Sequence, residues 1–155
     1  MGHEMQDKRK GFLFQLILGG SDEEYFYGPM DYFPVDNDGR WSWMVQIKSV
    51  VTDDYIISTN SKALIDTGTA YIKGPRYAAD MLNRHIGIYL DCSDLTNSNH
   101  PNVTFSFGEA NNTFVLTAED YIHRENEAYD YGSCFSKFSS HDEEEDHWIL
   151  GDTFM

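Results

Sequence analysis

The sequence predicts a mostly β domain with two short helices, and three observations carry that expectation. Short apolar segments alternate with turn residues along the whole chain, the pattern of strands joined by tight connections. Tyrosine and phenylalanine number 10 each, and aromatic side chains suit the pleated, half-buried surface of a strand. Helical periodicity occurs in only two places. The chain has 155 residues, 41% of them hydrophobic and 15% aromatic. That is the length of one domain, with enough apolar side chain for a packed core that removes roughly two-thirds of the unfolded surface from water.

Strands are expected at residues 12–18, 30–35, 41–49, 55–58, 63–65, 103–107, 113–116, 133–138 and 148–150. Asp36-Asn37-Asp38-Gly39 and Glu109-Ala110-Asn111-Asn112 are rich in turn-forming residues and break the pattern. The first helix is expected over 76–85. Gly74-Pro75 opens it, where the donor that proline lacks is not needed, and Tyr77, Met81 and Leu82 fall at a spacing that makes one apolar face. The second is a single turn, in which Thr117 and Asp120 resemble a capping box ahead of Tyr121-Ile122. In Asp142-Glu143-Glu144-Glu145-Asp146, adjacent like charges repel one another, so this stretch is expected to be a solvated loop with no role in catalysis.

Lysine and arginine total 11 against 26 aspartates and glutamates, a net charge of −15. Nucleic acid and anionic membrane surfaces attract basic patches, so both are excluded as expected partners. An acidic surface keeps a protein soluble; it also suits a protein that works in acid, and composition leaves both readings open. No apolar run reaches the ~18 residues needed to span a bilayer. Lys8-Arg9-Lys10, an apolar stretch to Leu18 and then Gly19-Gly20-Ser21 have the outline of a signal peptide. Gln15 interrupts the apolar part, and Glu4 and Asp7 dilute the basic part, so a buried strand is the alternative.

Cys92 and Cys134 lack the close spacing of a zinc site and either pair or remain two buried thiols. The sequons at Asn102 and Asn111 fit a secretory, oxidising route. The six histidines show no metal-ligand spacing, and no Gly-x-Ser-x-Gly elbow is present. No metal or other cofactor is expected.

The stretch that carries chemistry is Ala63-Leu64-Ile65-Asp66-Thr67-Gly68-Thr69-Ala70. An apolar strand delivers an aspartate onto a tight turn. Gly68 lets the backbone bend sharply and lets a ligand come close. Thr67 and Thr69 set hydroxyls beside the carboxylate, where they can donate hydrogen bonds to its charged form. A second apolar strand, Trp148-Ile149-Leu150-Gly151-Asp152, also ends in glycine.

Together these segments resemble the crossing in pepsin-like aspartic proteases, where an apolar-apolar-Gly strand supports the catalytic turn. Further landmarks follow in order. Leu18-Gly19-Gly20-Ser21-Asp22 resembles the family's Leu-Gly-Gly-x-Asp turn, which favours the strand over the signal peptide. Tyr32-Phe33-Pro34-Val35, Trp41, Gly74-Pro75, Cys92 and Cys134 also stand where the family has them. The resemblance runs from about residue 12 to 155.

It implies one lobe of the bilobal pepsin-like acid protease fold: a C-terminal lobe over 12–155, cut short at its C-terminal end, after a poorly ordered extension over 1–11. Asp66 then matches one of two catalytic aspartates. Thr69 matches the residue that bonds its outer oxygen, and Thr67 the threonine that grips the other lobe. Gly68, Thr69 and Ala70 match positions that meet substrate; the family usually has serine at Ala70, which puts subsite preference in doubt. Ile149, Leu150 and Gly151 match the supporting strand, Cys92 and Cys134 a disulfide. Ile57 and Ser61 stand where many relatives have a further one.

The implied partners are polypeptide substrates, pepstatin-type inhibitors and the N-terminal lobe that would bring the second aspartate. No second Asp-Thr-Gly or Asp-Ser-Gly occurs here, so this chain alone is expected to be inactive. The implied location is secreted or lysosomal/endosomal. Two alternatives stay open: a non-catalytic relative that binds peptides or a partner, and a homodimer that contributes one aspartate per chain.

Overall fold

In the computed structural model, the described residues are 17–36, 42–53, 55–87, 100–108, 112–125, 133–141 and 146–155. The chain divides into two compact units, Met1–Tyr32 and Phe33–Met155. The expected boundary between 11 and 12 lies outside the described residues. In the first unit, Asp22 caps a 3-10 turn at Glu23–Tyr25, its carboxylate accepting the Glu24 N–H at 3.0 Å. The strand expected over 12–18 falls mostly outside the described residues, and Ile17 and Leu18 are not in a strand. The strand expected over 30–35 reduces to one bridge, Val35 to Val45.

The second unit is built on β1 (Met44–Thr52) and β2 (Tyr55–Ile65), a long antiparallel pair with a bulge between Val50 and Val51. The sequence suggested two strands, 55–58 and 63–65, broken at the polar Thr59-Asn60-Ser61. One strand forms instead, because β1 pairs with the chain on both sides of that stretch. The break survives only as Asn60, at φ 53°.

Further along come β3 (Ile72–Gly74), α1 (Arg76–Ile86), β4 (Val103–Phe107), β5 (Asn112–Leu116) and α2 (Ala118–Tyr121). After them are β6 (Ile122–Glu125), β7 (Ser133–Ser136), β8 (Phe138–Ser140) and β9 (His147–Leu150). Seven strands form one sheet in the order β5-β4-β1-β2-β9-β3-β8, and β6 pairs with β7 separately. The mostly β class is as expected. The stretch expected as one strand over 133–138 splits into β7 and β8.

The core lies on one face of the large sheet. Ile47, Ile72, Leu82, Phe105, Trp148 and Leu150 are fully buried there, each contributing roughly 1.5–3 kcal/mol by leaving water. Helix α1 covers that face with Ala78, Ala79, Leu82 and Ile86. Tyr77 is not on the buried face, as the spacing suggested, but is 59% exposed. Alanines face the sheet because their small side chains let the helix come close. Pro75 is the residue before the helix, and its carbonyl accepts from Ala78 and Ala79. Gly87, at φ 65°, ends the helix with its N–H on the Asn83 carbonyl, a conformation that suits glycine.

Helix α2 forms where the capping signal stood. The Asp120 carboxylate accepts from the Thr117 N–H at 2.7 Å and from its hydroxyl at 2.9 Å. The buried Tyr121 donates its hydroxyl proton to the Pro101 carbonyl at 2.6 Å, and burial pushes its pKa up.

Candidate active site

Asp66 stands at the end of β2, where β2 runs parallel to β9 with Ile65 opposite Leu150. The Asp66 N–H continues the ladder to the Leu150 carbonyl at 3.1 Å. The chain then turns: Thr69 N–H reaches the Asp66 carbonyl at 3.1 Å. This turn aims two donors at the carboxylate, one per oxygen. Gly68 N–H donates to Oδ1 at 2.9 Å, and the Thr69 hydroxyl to Oδ2 at 2.7 Å. Both favour the charged form, so they hold the half-exposed Asp66 below the usual carboxylate range. Thr69 contributes most, then Gly68; partial desolvation opposes them, and the Lys73 ammonium adds to them.

The turn that follows β9, residues 151–155, holds the Asp66 turn through its backbone. Asp152 N–H bonds the Thr69 carbonyl at 2.8 Å, and Thr153 bonds the Ala70 carbonyl through its N–H at 3.1 Å and its hydroxyl at 2.9 Å. Only glycine fits at 151, where a Cβ would stand 2.0 Å from the Thr69 carbonyl oxygen. A methyl at Gly74 would meet the Trp148 ring at 2.6 Å. The same indole donates to Ser58 Oγ at 3.2 Å, from β9 back to β2.

A family model described as eukaryotic aspartyl protease matches residues 5–155. The chain belongs to that family.

Among similar curated proteins, Cathepsin E of Aquarana catesbeiana is 31% identical over 151 residues, covering 91% of this chain and 36% of its own length. Napsin-A of Mus musculus is 31% identical, over 91% of this chain and 35% of its own. Pregnancy-associated glycoprotein 1 of Bos taurus is 28% identical, over 97% and 39%. The chain therefore spans under two-fifths of the length of these relatives.

Among the residues that the aspartyl protease resemblance singled out, Asp66, Gly68, Thr69, Ala70, Ile149, Leu150 and Gly151 come together at this corner. Thr67 is exposed, and its hydroxyl has no partner among the described residues. Cys134 is buried and is not a free thiol; Cys92 lies outside the described residues. Asn102 is exposed just before β4, whereas Asn111 lies outside the described residues. Of the acidic run, residues 142–145 lie outside them too, and Asp146 is exposed. Ile57 is buried, and Ser61 Oγ is 3.4 Å from Ser58 Oγ. Among the described residues no group of three metal-ligating side chains forms, and no helix is long and apolar enough to cross a membrane.

Sequence reasoning missed three contributors. Thr153 ties the Ala70 carbonyl, and the Asp152-Thr153 pair after Gly151 was its only signal. Ser58 meets Trp148 across a separation of 90 residues, with no local sign. Lys73 lies just past the Asp66 turn, in a strand too short to show a period.

Proposed function

We propose that Asp66 is one of two catalytic aspartates of an aspartic endopeptidase, and that the second comes from a part of a relative-length polypeptide outside this chain. The observation behind this is the carboxylate held by one donor on each oxygen, Gly68 N–H and Thr69 Oγ1. A carboxylate held low in pKa stays ionised in acid and can take a proton from water. Facing a second, protonated aspartic acid, it would deprotonate a shared water while the partner protonates the scissile carbonyl oxygen. Water adds to the carbon without a covalent enzyme intermediate. A proton then moves to the amide nitrogen and the C–N bond breaks. The pair would titrate as a unit and favour acid.

One aspartate cannot be base and acid at once on opposite sides of one water. The isolated chain should therefore be inactive. The exposed Thr67 hydroxyl is available to bond the facing turn, which is how the family resemblance uses it.

The test is cleavage of denatured haemoglobin near pH 4, about the ordinary carboxylate range, by the full-length polypeptide that carries this chain. Cleavage should be blocked by a pepstatin-type inhibitor and abolished by Asp66→Asn with the fold kept. Activity in that variant would end the reading, and inhibitor-sensitive cleavage by the isolated chain would replace it with a homodimer. Ala70, which departs from the family's serine, favours the second reading of a non-catalytic peptide- or partner-binding relative. That reading requires the full-length protein to bind peptides without cleaving them.

The chain is further proposed to travel a secretory route to a lysosomal or secreted location. Three observations support this: a Cys134 that is not a free thiol, an exposed Asn102 in a sequon, and a relative named as a glycoprotein. On this reading Cys134 pairs with Cys92, closing a loop of 134 − 92 = 42 positions and stabilising by roughly 4 kcal/mol. Non-reducing peptide mass mapping of protein secreted from eukaryotic cells should find the bridge and glycan on Asn102 or Asn111. Two alkylatable thiols and bare asparagines would refute it.

A further inference from the structure

The large sheet carries a row of side chains that the core does not use. Register aligns Leu64 with Ile149, Ile149 with Lys73, and Lys73 with Ser139. The adjacent residues Ala63, Trp148, Ile72 and Phe138 are buried in the core. Strand alternation therefore turns Leu64, Ile149, Lys73 and Ser139 to the opposite face, and all four are half-exposed. Asp66 lies two residues past Leu64, with its N–H still in the ladder to Leu150, so the same alternation brings its side chain to that face. The Lys73 charge is felt at the Asp66 carboxylate. Lys73 has no ion-pair partner among the described residues.

An extended peptide held with one bond at Asp66 repeats its same-face side chains every ~6.6–6.8 Å. A side chain beside that bond would cross an apolar floor, Leu64 and Ile149, with an ammonium at its edge. A carboxylate there needs a counter-charge, because the floor offers it no hydrogen bonds. A basic side chain would be repelled.

We propose that Lys73 is a specificity residue that selects peptides bearing an aspartate or glutamate beside the bond attacked at Asp66. The inference rests on the protease reading above. The chain's net charge of −15 works against acidic peptides at long range. Salt screens that repulsion more than the short contact, so the preference should grow as ionic strength rises.

The test uses the full-length polypeptide as wild type, Lys73→Met and Lys73→Glu. Arg84→Glu makes the same charge change on the exposed surface of α1 and serves as control. Matched peptides differ only in Glu, Gln or Lys beside the cleaved bond. Wild-type kcat/KM should favour Glu over Lys by about fivefold, the scale of a half-exposed ion pair. The preference should vanish in Lys73→Met, reverse in Lys73→Glu and persist in Arg84→Glu. An equal loss for all three peptides in the Lys73 variants would overturn the inference and leave Lys73 a tuner of Asp66. A Glu preference that survives Lys73→Glu would also overturn it.

Reduced-bond versions of the same peptides, titrated onto the Asp66→Asn protein by fluorescence polarisation, give a readout that needs no turnover. Lys73-dependent binding of the Glu peptide without cleavage by wild type would sink the protease reading and keep only the charge selection, as selection of bound rather than cleaved peptides. Binding that ignores charge, or no binding, would sink the inference.

Discussion

In the β4–β5 hairpin and α2, some partners are close in sequence: the Phe107 ring meets Phe114, and Asp120 caps Thr117 three residues away. At the Asp66 corner the donors to the carboxylate are local, but the partners that hold the turn in place are remote. Asp66 bonds Leu150, Thr69 bonds Asp152, and Trp148 reaches back 90 residues to Ser58. In the first region these local contacts are each modest, and they add to the pairing of β4 with β1 and the packing of Phe105 on Trp148 and Phe154. The second depends on a few close approaches between distant segments, two of which only glycine permits. A change at the corner should therefore cost more, and reach further, than a change in the hairpin.

Trp148→Ala against Thr117→Ala tests this contrast directly. Trp148 is fully buried, lies over Gly74 and hydrogen-bonds Ser58. Its truncation should cost about 3–5 kcal/mol. Removing the Thr117 cap should cost about 1 kcal/mol. Urea denaturation measures both, as midpoint shifts at constant slope. Equal losses would break the contrast.

A smaller effect sharpens it. Thr69→Val keeps the size of the side chain and removes the donor to Asp66 Oδ2. The Asp66 pKa should rise toward its ordinary value, as read by carboxyl carbon NMR. The folded pKa lies below the unfolded one. The contribution of Asp66 to stability is thus fully present above the unfolded value, near pH 4, and is lost as pH falls through the lowered folded value. Wild type should exceed the variant in stability above about pH 4 and converge with it in stronger acid. An unchanged Asp66 titration would mean that the Thr69 bond does not control the carboxylate.

The hairpin was legible in advance. Strand β4 falls on the expected residues, β5 starts one residue early, and the capping signal at Thr117 and Asp120 marks a real helix. These elements follow from alternation and short-range polar chemistry. Strand β3 was not foreseen, because Ile72-Lys73-Gly74 is too short to carry a period and exists through pairing with β8 and β9. Strand β6 was missed for a similar reason: Ile122-His123-Arg124-Glu125 directly follows a helix and becomes a strand by pairing with β7. The opposite error came at 30–35, where an aromatic, apolar pattern finds only one bridge.

At the site, the order of residues alone determined the chemistry on offer: an aspartate on a glycine-bearing turn, with hydroxyls beside it and a Gly-ended apolar strand elsewhere in the chain. Those features are local, so they can be read without a fold. Tertiary structure decided which hydroxyl serves. Thr69 closes on Oδ2 while Thr67 turns to solvent, because the backbone after Gly151 holds the Thr69 and Ala70 carbonyls from the other side. It also decided that Lys73 shares a face with Asp66. Both outcomes depend on strand register across β2, β9 and β3, and register is set by which segments bury their apolar faces together.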